Sequence, residues 1–131
     1  MFLVDTNVFL EVLLQQQRAE EAREFLLNAP TNSLCISDFS IYSVGIILVR
    51  RRMSETFHLF LQDVQAGLRS LKLDLDELDV LTEVAENLRL DFDDAYQYVL
   101  AERRNLCLVS FDTDFDNTPL GRVTPAAALN R

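Results

Sequence analysis

FLVDTNVFL, residues 2–10, carries the reading that decides the fold. Three apolar residues form a short run that can only be a buried strand. Asp5, Thr6 and Asn7 then break it, and Thr6 or Asn7 can cap a helix carrying Val8, Phe9, Val12 and Leu13 on one face. A strand that ends on a carboxylate and turns at once into a helix is the entry of a β-α-β unit. The same grammar returns in CISDFS (35–40) and LVSFDTDFD (108–116), while LDFDDAY (90–96) opens a helix on a triplet of acidic residues.

Working outward, apolar periodicity places further strands at 33–36, 70–73 and 106–110. A helix starts near Ala19 and exits at Pro30 and Asn32. Another is capped by Ser37 or Asp38 and runs toward Arg52, and the next runs from Ser54 to Gly67. A helix from Asp76 through Leu88 and one from Asp91 or Phe92 through Glu102 follow. Pro125 suits the first position of a closing helix after a small strand at Val123. Alternating strands and helices predict a three-layer α/β/α sandwich around a mainly parallel sheet, formed by a single domain over residues 1–131. Right-handed crossovers bring the carboxyl ends of such strands to one edge, where ligands bind. Asp5 and Asp112 sit at strand ends, and Asp38 and Asp94 lie in first helical turns near that edge. Carboxylates gathered there repel one another, and a divalent cation relieves that repulsion.

Composition narrows the function classes. A chain of 131 residues with 49% hydrophobic side chains buries one core, not two. The longest apolar runs are interrupted by polar residues and are too short for a bilayer, so no membrane contact is expected. Met1 leads into a strand with no basic leader, which places the chain in the cytoplasm and leaves Cys35 and Cys107 as reduced core thiols. The formal charge of −9 opposes nonspecific attraction to a polyanion, although Arg50, Arg51, Arg52, Arg103 and Arg104 offer small basic patches. His58, the single histidine, lies between Phe57 and Phe60 and reads as a partly buried packing residue. Three glycines make no phosphate loop, and no zinc site is legible.

In order and spacing, FLVDTNVFL, DDAYQYVLAE (93–102) and LCLVSFDTDF (106–115) resemble the acidic motifs of PIN-domain nucleases, above all the small VapC-like toxins of type II toxin–antitoxin pairs. The resemblance implies a magnesium- or manganese-dependent endoribonuclease in which Asp5, Asp94 and Asp112 are the catalytic metal ligands. Thr6, Asn7, Ser110 and Asp114 would support them, with Ser110 orienting a carboxylate or a water at the cation. It also implies an RNA substrate, a homodimer with the Phe57, Phe60 and Leu61 face as core or interface, and a small basic antitoxin suited to the negative charge.

One family position departs. Where those nucleases carry a Glu on the third helix, CISDFSIYSVGIIL (35–48) offers Ser43. Asp38 is the nearest carboxylate and stands as a substitute ligand, against the plain reading of a helix cap. The missing Glu also supports an alternative function, a degenerate domain that binds RNA or protein without efficient cleavage. FDTDF (111–115) resembles the Asp-x-Asp motif of haloacid dehalogenase phosphatases, but that motif opens its domain. Both that group and receiver domains need a later Lys, and Lys72 lies upstream.

Overall fold

A computed structural model describes residues 1–130. Four strands, β1 (Phe2–Val4), β2 (Leu34–Ser37), β3 (Arg69–Leu71) and β4 (Cys107–Val109), form a sheet of order β3-β2-β1-β4. Every pairing is parallel, with Leu3 opposite Cys35 on one side and Leu108 on the other. The short strand expected near Val123 is a single parallel bridge to Val109. Seven α-helices are described: α1 (Thr6–Leu13), α2 (Ala19–Asn28), α3 (Asp38–Arg50), α4 (Ser54–Gly67), α5 (Leu81–Leu88), α6 (Phe92–Arg103) and α7 (Pro125–Leu129). None is long and apolar enough to cross a membrane.

The period of two along each strand divides the core between the sheet's faces. Leu3, Cys35 and Leu108 join the α5–α6 layer around Leu81, Val99, Leu100 and Phe115. Val4, Ile36 and Val109 join Val8, Phe25, Val44, Leu48 and Phe60 in the opposite layer. Phe60 packs edge-on against Phe9 at 5.5 Å and is buried, so the expected Phe57–Phe60–Leu61 face is partly core rather than one continuous surface. The exposed apolar side chains of this layer are instead Leu27 on α2, Tyr42, Ile46 and Val49 on α3 and Leu59 on α4. His58 is exposed, 3.4 Å from Gln62, rather than packed. Cys35 is buried, Cys107 is half-buried, and neither is in a disulfide.

Element boundaries shift for visible reasons. Asp5, not Thr6 or Asn7, caps α1, its side chain accepting from the Thr6 N–H. The helix expected from Asp76 is split: Asp74 and Glu77 form a capping box on a 3-10 turn, Leu75–Val80, ahead of α5. Glu77 also receives both guanidinium nitrogens of Arg104, at 2.8 and 2.9 Å, which holds its carboxyl down at about 2. Strand β3 stops at Leu71 because the Leu73 N–H donates to the Tyr96 hydroxyl rather than to a strand.

Candidate functional site

The carboxyl ends of β1 and β4, the first turn of α6 and the inner side of α3 enclose a cleft of about 330 Å³. Asp5, Thr6, Asn7, Ser43, Asp93, Asp94, Gln97 and Asp112 line it, with Leu10, Phe39 and Ile47. Parallel pairing of β1 between β2 and β4 causes this convergence, because it brings the Asp5 and Ser110–Asp112 ends to one edge.

Asp5 is buried at 5% exposure, and both its oxygens are occupied. Oδ1 accepts from the Thr6 N–H at 2.8 Å and from Gln97 Nε2 at 3.1 Å. Oδ2 accepts from Ser110 Oγ at 2.7 Å and Asn7 Nδ2 at 3.2 Å. Burial pushes the Asp5 carboxyl up, the bonds from Ser110, Thr6 and Gln97 pull it back, and the charge of Asp112 raises it further. Ser110 ties the network together: its Oγ also accepts from Asn7 Nδ2 at 3.1 Å and from the Asp112 N–H at 2.9 Å. Thr6 Oγ1 pairs with Ser40 Oγ at 2.8 Å.

Asp94 stands in contrast. Half-buried in the acidic first turn of α6, its carboxylate receives no hydrogen bond from any described residue. Burial, then the charges of Asp93, Asp112, Asp5 and Asp91, push it from the ordinary 3.8 up to about 7. Oxygens of Asp94, Asp112 and Asp114 all lie within 4.8 Å of one another, as do those of Asp91, Asp93 and Asp94. Three uncompensated carboxylates at that spacing offer the hard oxygen donors that magnesium and manganese take. The donor set therefore fits a divalent cation. Asp112 also caps the 3-10 turn Thr113–Asn117, its Oδ1 accepting from the Asp114 N–H at 2.8 Å. That contact places Asp114 beside the cluster.

Asp38 is held elsewhere. Its Oδ1 accepts from the Phe39 N–H and from the Tyr96 hydroxyl, both at 2.7 Å, and it does not line the cleft. The helix cap proper is Ser37, whose Oγ accepts from the Ser40 N–H. Ser43 does line the cleft, from α3.

Sequence reasoning missed Gln97. It is buried and donates through Nε2 to Ser40 Oγ at 2.6 Å as well as to Asp5. The two acceptors fix the amide's orientation, since turning it over would set its oxygen against a carboxylate. Its Oε1 is then the one buried side-chain oxygen without a partner among the described residues. The signal for it was available: a lone amide in the wholly buried run from Ala95 to Ala101, one helical turn after Asp94.

The profile of the PIN domain family matches residues 2–120. No curated protein matches the chain. Among solved structures, a toxin–antitoxin complex from Klebsiella pneumoniae is similar at 23% identity, covering 95% of this chain and 98% of that one, with a TM-score of 0.74. VapC20 of Mycobacterium tuberculosis, described as a toxin cleaving the sarcin–ricin loop, superposes with a TM-score of 0.78 at 17% identity, over 95% and 100% of the two chains. PAE2754 of Pyrobaculum aerophilum is similar at 23% identity, over 99% and 87%, with a TM-score of 0.69.

Proposed function

The chain belongs to the PIN domain family, and on that premise we propose that it is a magnesium- or manganese-dependent endoribonuclease of the toxin kind, restrained by an antitoxin. The observation that carries this reading is the meeting of Asp5, Asp94 and Asp112 in one cleft at the strand ends. Asp94 and Asp112, joined by Asp114, would hold the cation, and Asp5, fixed by its hydrogen bonds, would stand behind them. A cation bound there supplies Lewis-acid polarisation of the phosphate and activation of water. Ser110 and Asn7 hold Asp5 in one orientation. Burial and then the neighbouring carboxylates hold the Asp94 carboxyl up at about 7, so near neutral pH a binding cation competes with a proton there.

A charge of −9 suits a basic antitoxin segment entering the acidic cleft. The similar structure from Klebsiella pneumoniae is described as a toxin–antitoxin complex, which supports a partner of that class. The exposed Tyr42, Ile46 and Val49 of α3 support a homodimer. One observation favours a second reading, a binding module with little cleavage: Ser43 brings no carboxylate to the cleft wall. The test is manganese-dependent cleavage of single-stranded RNA pools by the parent, Asp94→Asn and Asp112→Asn. Cleavage by the parent that EDTA and both substitutions abolish is the expected result. RNA binding without cleavage at any manganese concentration would select the binding module.

A further inference from the structure

An arginine stacked on a phenylalanine borders the acidic cleft. Phe111 lies between Ser110, which bonds Asp5, and Asp112, and its N–H donates to Asn7 Oδ1 at 3.2 Å. The Arg18 guanidinium carbon sits over the Phe111 ring, 4.9 Å from its centroid. Together with Glu11, Gln16 and Gln17 the pair lines a second cavity of about 340 Å³, and Asn7 lines this cavity and the acidic cleft alike.

The charge of Arg18 is uncommitted. Glu11, the carboxylate that lines the same cavity, accepts from the Arg18 backbone N–H at 2.6 Å. Among the described residues the guanidinium has no carboxylate or carbonyl partner. Several other arginines are paired or lie away from this side of the cleft. Arg122 is bound to Asp116 at 2.9 Å, and Arg104 to Glu77. Arg50 to Arg52 lie at the far end of α3, which is about 20 Å long at its 13 residues. A polyanionic substrate approaching the carboxylates from the Asn7 side therefore meets a guanidinium with no ion-pair partner among the described residues. The aromatic ring beneath it limits the guanidinium's freedom, and a planar fork suits a phosphate better than a flexible ammonium.

We propose that the Arg18–Phe111 pair is a substrate subsite that binds a phosphodiester of single-stranded RNA next to the one in the acidic cleft, Arg18 pairing with the phosphate and Phe111 holding the guanidinium in place. This rests on the ribonuclease reading above. Single-stranded nucleic acid follows cationic, aromatic-lined grooves of this kind.

The test uses a fluorescein-labelled single-stranded RNA dodecamer of mixed sequence and the full chain carrying Asp112→Asn to prevent cleavage, read by fluorescence anisotropy across a salt series. Arg18→Gln is expected to raise Kd about 10-fold, the size of one charge-assisted contact. It should also reduce the slope of log K against log salt by about 0.7, one single-strand phosphate. Arg18→Lys restores the slope but only part of the affinity. In the cleavage-competent protein, Arg18→Gln raises KM more than it lowers kcat. Equal Kd and equal slope for Arg18→Gln and its parent would overturn the subsite and leave the ribonuclease reading standing. Absence of RNA binding and of cleavage by the unsubstituted chain would overturn both.

Discussion

Asp94→Asn should stabilise the protein in EDTA at pH 8 and destabilise it, relative to the parent, when manganese is present. The sign follows from linkage. Folding raises the Asp94 carboxyl from 3.8 to about 7, so the folded state holds the proton more tightly than the unfolded one. The Asp94 contribution to stability is therefore fully present below pH 3.8 and is lost as pH climbs to about 7, where the folded carboxyl ionises among its acidic neighbours. At 1.36 kcal/mol per pH unit the full difference is about 4 kcal/mol. Asp94 is only half-buried, and solvent screening reduces the gain on substitution to roughly 1–2 kcal/mol. For a domain of this length that is a rise of about 3–8 °C in Tm. Manganese at about 100 times its Kd adds about 2.7 kcal/mol to the parent but little to a variant lacking the ligand, so the order of the two melting temperatures reverses. Differential scanning calorimetry at pH 4 and pH 8, with EDTA or manganese, reads all four states. Two results would refute the reasoning: a variant that melts below the parent in EDTA at pH 8, or manganese stabilisation equal in both proteins.

Manganese affinity of the parent, measured by titration calorimetry, should rise with pH and level off above about 7, as Asp94 gives up its proton; a flat profile from pH 5.5 to 8 would remove Asp94 from the site. Ser43→Glu adds a carboxylate to the cleft wall and should tighten manganese binding several-fold while lowering Tm in EDTA. Asp38→Asn, whose acceptor faces Tyr96 and the Phe39 N–H, should leave manganese affinity within about 2-fold; a larger loss would restore Asp38 as a ligand.

The strand-to-helix junctions were legible because each is local: a short apolar run, a polar break and a helical period lie within ten residues. Parallel order then carried Asp5 and Asp112 to one edge without any knowledge of side-chain contacts. Long-range bonds were not legible. Nothing in CISDFS says that Asp38 will meet a hydroxyl 58 positions away on Tyr96, a contact that occupies one of its oxygens. Nor does the sequence around Leu73 show that Tyr96 will end the third strand early. Arg18 reads as one more loop charge until the fold lays it over Phe111.

The two central aspartates do different work, and their substitutions should separate it. All four acceptor positions of the Asp5 carboxylate are filled by Thr6, Gln97, Asn7 and Ser110, whereas no described donor reaches Asp94. An amide at position 5 must point its NH2 at one pair of donors or the other. Ser110 cannot simply turn to accept, since its Oγ already accepts from Asn7 and the Asp112 N–H. Asp5→Asn should therefore cost about 1–3 kcal/mol, the range for a buried donor left without an acceptor, in urea unfolding with EDTA at pH 8. Relief of the buried charge that raises the Asp5 carboxyl works against that cost, so Asp5→Asn should gain clearly less than Asp94→Asn, or lose, under the same conditions. A stable Asp5→Asn variant would mean that the network around it yields, and Asp5 would then be free to turn toward a cation. A destabilised one assigns Asp5 to holding the strand ends together, and leaves Asp94, the carboxylate with charge and no partner, as the seat of the cation.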